Sequence, residues 1–293
     1  MRFAFIDAEK GNYPVQVLCR VMQVGRSGFY KWLHRVPSER ACRDEVLKVH
    51  IREAFHDNRR TYGSPRVHAE LRAKGHRTSK RRIERLMRSE DLCALRKRRV
   101  VRTTDSKHAL AVAPNLLTRN FTASAPNRVW TTDITYLWTL DGWLYLAAVL
   151  DLFSRRVVGW AMSDRIDEPL VLSALNMALT TRRPPPGLIH HSDRRVQYCA
   201  TQYQTVLKAH CIVQSMSRKG DCWDNAPSES FNGSLKEELY YRQPLQSRSA
   251  TRSAVFEYLE GFYNSRRLHS TLGYLSPIEY EARSLTKLAA KKS

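Results

Sequence analysis

Apolar residues recur at helical spacing over roughly the first 120 positions of the chain, then change to alternating and continuous runs of strand length. In the first part, "YPVQVLCRVMQVGRSGFYKWLHR" reads as an amphipathic helix, a turn at Gly25 and a second short helix opening near Ser27, the outline of a helix-turn-helix. "SERACRDEVLKVHIREAFHD" predicts a longer helix capped by Ser38. A second helix-turn-helix follows. "SPRVHAELRAKG" has Ser64 as N-cap, Pro65 at the first helical position and Gly75 as the stop. In "SKRRIERLMRSEDL", Ser79 is the cap and Ile83, Leu86 and Met87 form the inward stripe. Lys80, Arg81, Arg82, Arg85 and Arg88 cover most of its remaining surface, a composition suited to phosphates and guanine edges, although a plain solvated basic helix pair has the same pattern. "LRKRRVVR" extends the basic stripe, and residues 101–125 read as a linker.

From residue 126 the period changes. "RVWTTDITYLWTL", a "DG" turn, "WLYLAAVLDLFS" and "RRVVGWAMS" predict three strands joined as hairpins. "EPLVLSALNMALTTR" is an amphipathic helix stopped by three prolines, "GLIHHSD" a strand, "ATQYQTVLKAH" a helix, "CIVQSMS" a strand and "APSESFNGSLKEELYYR" a helix. The order β-β-β-α-β-α-β-α implies an α/β fold, a mixed sheet flanked by helices in the ribonuclease-H-like arrangement, preceded by an all-α helix-turn-helix region. The expected division is a helical region at 1–60, a second helix-turn-helix at 61–100, a linker at 101–125, a catalytic core with carboxyl-terminal helices at 126–285 and a basic tail at 286–293.

Composition adds a partner. The chain has 49 Lys+Arg against 28 Asp+Glu, a net charge of +21, which fits a polyanion such as nucleic acid. Residues 1–120 hold 28 basic and 12 acidic side chains, and residues 121–293 hold 21 and 16, so the first part reads as the binding arm. The six cysteines include no CxxC pair, which argues against a zinc site and suits a reducing cytoplasm. No apolar run approaches the ~20 residues needed to span a bilayer, and no signal peptide is visible, so a soluble, intracellular protein is expected.

Three acids stand out on that topology. Asp133 lies inside the first strand, where a carboxylate among Thr, Ile and Trp is costly unless paired or metal-bound. Asp193 ends the fourth strand, the expected neighbour of the first, and Glu229 lies on the last of these helices. Each alone reads more readily as a cap or an ion-pair partner, and Asp224 and Asn225 are plausible caps for the Glu229 helix. Together they form a hard-oxygen set suited to Mg²⁺ or Mn²⁺; two such ions, about 3.5–4 Å apart, can serve an in-line phosphoryl displacement. His190 and His191 alternate to opposite faces of their strand and cannot share one metal, so at most His190 supports the site.

"WTTDIT", "HSDRRVQY", "DNAPSES" and "YNSRRLHSTLGYLSP", with 35 residues between Asp193 and Glu229, resemble a DDE transposase of the retroviral-integrase type, more narrowly the second-frame (OrfB-type) product of insertion-sequence family three. "YGSPRVHAEL" and "GRSGFYKW" extend the resemblance to nearly the whole chain. It implies Asp133, Asp193 and Glu229 as catalytic metal ligands, two Mg²⁺ per site, and cleavage of element ends followed by strand transfer. It also implies DNA partners at the terminal repeats and the target, a homo-oligomer on paired ends, fusion with or binding to the first-frame product, and a bacterial, nucleoid-associated location without a membrane. Lys236, seven residues after Glu229 on the same helix face, matches the basic residue this family places near DNA. Arg266 and Arg267 are expected DNA contacts, with Asn225 and His269 supporting the site, while a polar elbow closing the core explains the 263–277 segment equally well. Two other readings share the carboxylates: a structure-specific nuclease, and a catalytically impaired DNA-binding regulator of transposition. Where the family pattern reads Asp-Arg-Gly, this chain has Arg195, which is expected to strain the loop, crowd the DNA or add a phosphate contact.

Overall fold

The computed structural model describes residues 1–94, 112–218, 222–242 and 244–290. The basic stripe expected over "LRKRRVVR", the linker at 101–111 and the end of the basic tail at 291–293 lie outside the described residues.

Helices α1 (Arg2–Glu9), α2 (Val15–Val21) and α3 (Arg26–Leu33) bury Ile6, Leu18, Cys19 and Phe29 in a small core of their own. In α4 (Glu39–Asp57) the Ser38 hydroxyl accepts from the Ala41 amide at 3.2 Å, the expected cap. α5 (Ser64–Ala73) begins one residue earlier than expected, with Gly63 at the cap and Ser64 inside the helix, and Gly75 ends it at φ +90°. α6 (Lys80–Ser89) is capped by Ser79 and buries Ile83, Leu86 and Met87 as its apolar spacing requires. Leu47, Ile51 and Phe55 of α4 pack with Val67, Leu71, Ile83 and Leu86. α4, which falls inside the expected 1–60 region, thus buries its apolar face on α5 and α6.

The strands are β1 (Val129–Thr139), β2 (Gly142–Asp151), β3 (Val157–Ser163), β4 (Ile189–Ser192) and β5 (Val213–Met216), in the order β3-β2-β1-β4-β5. β2 runs antiparallel to β1 and β3, while β4 lies parallel to β1 and β5, the mixed ribonuclease-H-like sheet that the element order implied. Alternation divides β1 between two cores. Trp130 and Ile134 join a core with α7 (Glu168–Arg182), α8 (Val196–Cys199) and α9 (Thr201–Ala209). Val129 and Leu137 join one with α10 (Ala226–Glu238), α11 (Arg248–Phe256) and its π-helical continuation Glu257–Tyr263. α12 (Pro277–Ala290) follows. No described helix is long and apolar enough to cross a membrane.

α7 lies so close to β3 that a Cβ on Gly159 would stand 2.2 Å from the Ala174 carbonyl oxygen and 2.7 Å from Ala178. Gly159→Ala must therefore push helix and sheet apart, and is expected to cost about 2 kcal/mol or more, read as a lower urea midpoint with an unchanged slope.

The α4–α6 unit docks on the α10 side of the sheet. The Tyr62 hydroxyl accepts from the Leu268 amide at 2.8 Å and donates to the Arg266 carbonyl at 3.3 Å, and Arg242 donates to the Arg59 carbonyl at 2.6 Å. Beneath this joint Arg267 forks onto Glu238 at 2.5 and 2.7 Å, and the Tyr258 hydroxyl donates to the same carboxylate at 2.9 Å. Burial raises the Glu238 pKa, but the Arg267 hydrogen bonds and charge outweigh it and hold the carboxyl below its ordinary 4.5. A folded-state pKa below the unfolded one contributes stability above pH 4.5 that is lost as pH falls through the depressed value. Glu238→Gln leaves a buried guanidinium without its carboxylate and is expected to cost about 3–5 kcal/mol at pH 7. The gap between variant and wild type should narrow below pH 4.5 in thermal melts across pH.

Candidate active site

β1 and β4 bring two acids together by register. Thr131 lies opposite His191 in the last paired position, and two residues beyond it on each strand stand Asp133 and Asp193. Asp133 Oδ1 accepts from the Ile134 amide at 2.8 Å and its Oδ2 from Asn232 Nδ2 of α10 at 2.9 Å. Burial raises the Asp133 pKa against the pull of Arg195, the Ile134 amide, Asn232 and Lys236. Burial and then the neighbouring Asp133 charge push Asp193 up to about 7, with Arg195 opposing.

A resident cation lies between the two. Arg195 Nε is 3.0 Å from Asp193 Oδ2, its Nη2 is 3.9 Å from Asp133 Oδ1, and its Nη1 donates to the Ile134 carbonyl at 3.0 Å. The guanidinium also sits 5.3 Å from the Tyr136 ring centroid and is only 7% exposed. Burial disfavours its charge, but Asp133 and Asp193 more than restore it. The expected loop strain is absent, because Arg195 has φ −70° and ψ 146°, ordinary extended backbone. The effect of Arg195 is electrostatic: its guanidinium spans the space between two carboxylates where the family pattern has no side chain.

α10 is stitched to β1 along one face. Asn225 Nδ2 donates to the Thr132 carbonyl at 3.1 Å, Ser228 to the Thr131 hydroxyl at 2.9 Å, and Asn232 to Asp133. Asn225 occupies the N-cap position without a side-chain cap bond, because its amide is engaged by the strand. Asp224 serves the neighbouring loop instead of the helix, accepting from the Arg218 backbone at 2.9 Å, the Arg218 guanidinium at 3.0 Å and Asn115 at 2.8 Å. Glu229 lies in the first turn of α10, one turn from Asn225 and from Asn232, and is exposed. Lys236 continues that stripe; burial lowers its pKa, and its charge acts on Asp133. Asp133 and Asp193 together are a hard-oxygen pair that fits a divalent cation once the guanidinium withdraws. Among the described residues no three His, Cys, Asp or Glu side chains gather closely enough to hold a metal ion, so Glu229 stands apart from the pair.

The other expected site residues divide. His190 turns into the α9-side core, 2.6 Å from the Tyr203 hydroxyl, and not toward the carboxylates, because its strand position faces the helices. Burial pushes its pKa down to about 3. His191 faces the other way, onto Ser215 at 2.8 Å and Ser217 at 3.2 Å, and burial pushes it down to about 4. Arg267 is 5% exposed and locked to Glu238, which corrects the expected DNA contact, and His269 packs on Tyr263 beside it instead of the acids. Arg266 is exposed. On α6, Arg82 and Arg85 pair with Asp44 of α4 at 2.7 and 2.6 Å; Arg82 is half-buried, while Arg85, like Lys80 and Arg81, is exposed. Sequence reasoning missed Asn232 and Ser228, although Asn232 stands three residues after Glu229 and four before Lys236, a spacing that marks one helix face.

Known proteins match the chain in both its helical and its sheet-bearing parts. Residues 123–222 and 210–277 match models of the integrase core domain, and residues 41–100 match an HTH-like domain. The chain is 45% identical over 263 residues to the insertion element IS600 uncharacterized 31 kDa protein of Shigella sonnei, covering 90% of this chain and 97% of the relative. It is 41% identical over 288 residues to the transposase InsF for insertion sequence IS3A of Escherichia coli (strain K12), covering 97% of this chain and 100% of the relative. Among solved structures it is similar to the HTLV-2 integrase catalytic core domain in complex with magnesium, with a TM-score of 0.43 and 17% identity over 54% of this chain and 99% of that one.

Proposed function

The chain belongs to the IS3 family of integrase-type transposases, and on that premise we propose that it cuts insertion-sequence ends and joins the DNA 3′-hydroxyl to target DNA. The observation that carries this reading is the pairing of Asp133 and Asp193 on adjacent parallel strands beneath the helix that carries Glu229. Asp133 and Asp193, with Glu229 drawn in from the flank of α10, would hold Mg²⁺ or Mn²⁺, up to two ions, which when bound would activate the attacking oxygen and offset charge on the phosphoryl group. Asn232 fixes the Asp133 carboxylate through its hydrogen bond, so that acid is oriented before any ligand arrives. Lys236 places an ammonium beside the acids, suited to a DNA phosphate. On α6, Lys80 and Arg81 are exposed and suited to the DNA backbone, and Arg85, exposed although paired with Asp44, can join them.

The partners in this reading are the terminal repeats, target DNA, further copies of the chain on paired ends, and the first-frame product. Arg195 favours a second reading, a DNA-binding regulator of transposition with impaired catalysis, because its guanidinium neutralises the carboxylates that a metal would need. A strand-transfer assay with Mg²⁺ on end duplexes taken from the nucleotides flanking the reading frame separates the readings. Joined product supports the transposase. End binding with neither cutting nor joining supports the regulator, and nicking of unrelated DNA without joining supports a nuclease.

A further inference from the structure

On the side of α10 away from Asp133, a cleft of about 530 Å³ opens between that helix, the turn joining β2 to β3, the start of α5 and the 263–271 segment. Four guanidiniums line it, from Arg66, Arg155, Arg242 and Arg267, against two carboxylates, Glu237 and Glu238. Arg267 and Glu238 neutralise each other in their fork, and Arg242 is engaged by the Glu237 and Arg59 carbonyls at 2.6 Å each. Arg66 comes no nearer than 4.0 Å to Glu238 and rests over the Tyr62 ring. Arg155 has no hydrogen bond or ion pair among the described residues, although it is half-buried and held at φ +60°, a conformation a non-glycine residue adopts at some expense. Arg66, Arg155, Arg267 and His269 line the same cleft; burial, and then the charges of Arg267, Arg66 and Arg155, push the His269 imidazole down to about 2. The Ser230, Ser270 and Thr271 side chains supply hydroxyls around the mouth.

A half-buried guanidinium without an acceptor, in a net-positive cleft rimmed by hydroxyls, calls for an anion with several oxygens. We propose that this cleft holds a phosphodiester group of bound DNA, with Arg155 and Arg66 as its charged donors. The proposal rests on the transposase reading. The DNA backbone is favoured over free phosphate because the HTH-like unit itself forms one wall, through Thr61 and Arg66, so a duplex held there passes the cleft mouth. The cleft also backs onto the helix that carries Glu229, so a strand seated in it presses on the element that must deliver that carboxylate.

The test is fluorescence anisotropy of the full chain with labelled duplex across a KCl gradient, for wild type, Arg155→Ala and Arg155→Lys, with melts to establish that each variant folds. Losing one phosphate contact should lower the log–log salt slope by about 1 and weaken binding roughly tenfold, whatever the duplex sequence. Arg155→Lys keeps the charge and should keep the slope, which a merely structural role for Arg155 would not predict. A folded Arg155→Ala chain with unchanged slope and affinity overturns the proposal. Unchanged DNA binding together with a melting shift from inorganic phosphate, seen in wild type and lost in Arg155→Ala, overturns the DNA assignment in favour of free phosphate. If wild type binds no duplex at all, the transposase reading falls with it, a failure distinct from an unaltered slope.

Discussion

Asp133→Asn, Asp193→Asn and Glu229→Gln are each expected to lower DNA joining by roughly 10³-fold or more, with end binding nearly unchanged. An amide keeps the size and one acceptor of the carboxylate but loses the charge that a hard cation requires. The three should not be additive, because they serve one centre, and a double variant should be little worse than either single one. Stability should move the opposite way for the strand pair. Asp133 and Asp193 are like charges held side by side with burial opposing both, and Arg195 lies between them as the charge that offsets the crowding. Neutralising Asp193 leaves a one-to-one pair, so Asp193→Asn should melt at the same temperature as wild type or higher in EDTA. A gain in stability with a loss of joining is the signature of residues placed for chemistry.

Arg195→Gly is expected to lower the Mg²⁺ concentration for half-maximal joining by roughly tenfold or more, about 1.4 kcal/mol or above. In wild type a divalent cation must displace a guanidinium that is 3.0 Å from Asp193 and also bonded to the Ile134 carbonyl. In the variant the cation meets two bare carboxylates. The readout need not be joining: the melting temperature of the metal-free variant should be lower than wild type, because the crowded acids have lost their counter-ion, and Mg²⁺ should raise it more than it raises wild type. Arg195→Lys should fall between the two, since an ammonium keeps the charge but cannot span two acids and a carbonyl. Equal Mg²⁺ responses in wild type and Arg195→Gly would leave the regulator reading without its physical basis.

Much of this was legible in the sequence because it depends on period and punctuation. The 3.6 spacing of Ile83, Leu86 and Met87 behind Ser79 marks α6, and the run "LIHHSD" marks a strand whose order in the chain places it beside β1. Asp133 was conspicuous because a carboxylate in an apolar strand needs a reason. What the sequence could not show were partners far apart in the chain. Asp44 lies 38 residues from Arg82, and only the packing of α4 on α6 makes the ion pairs that tie Arg82 and Arg85 to it. Arg267 looked like a surface cation in "NSRRLHS", yet the bend after Tyr263 turns it onto Glu238 while Arg266 stays outside. The sequence marks Arg195 as a departure from a glycine, whereas its effect in the fold is electrostatic. A single residue cannot reveal that its backbone is extended and that its side chain ends between two acids, one of them sixty-two positions away.

The most direct test of the transposase account is strand transfer by the full chain in Mg²⁺ on duplexes from its own element ends, with wild type and Glu229→Gln assayed side by side for binding and for joining. Equal end binding by both chains, with joined product from wild type alone, is the predicted result. Joined product that persists in Glu229→Gln, or none from wild type and none from Arg195→Gly either, would contradict it.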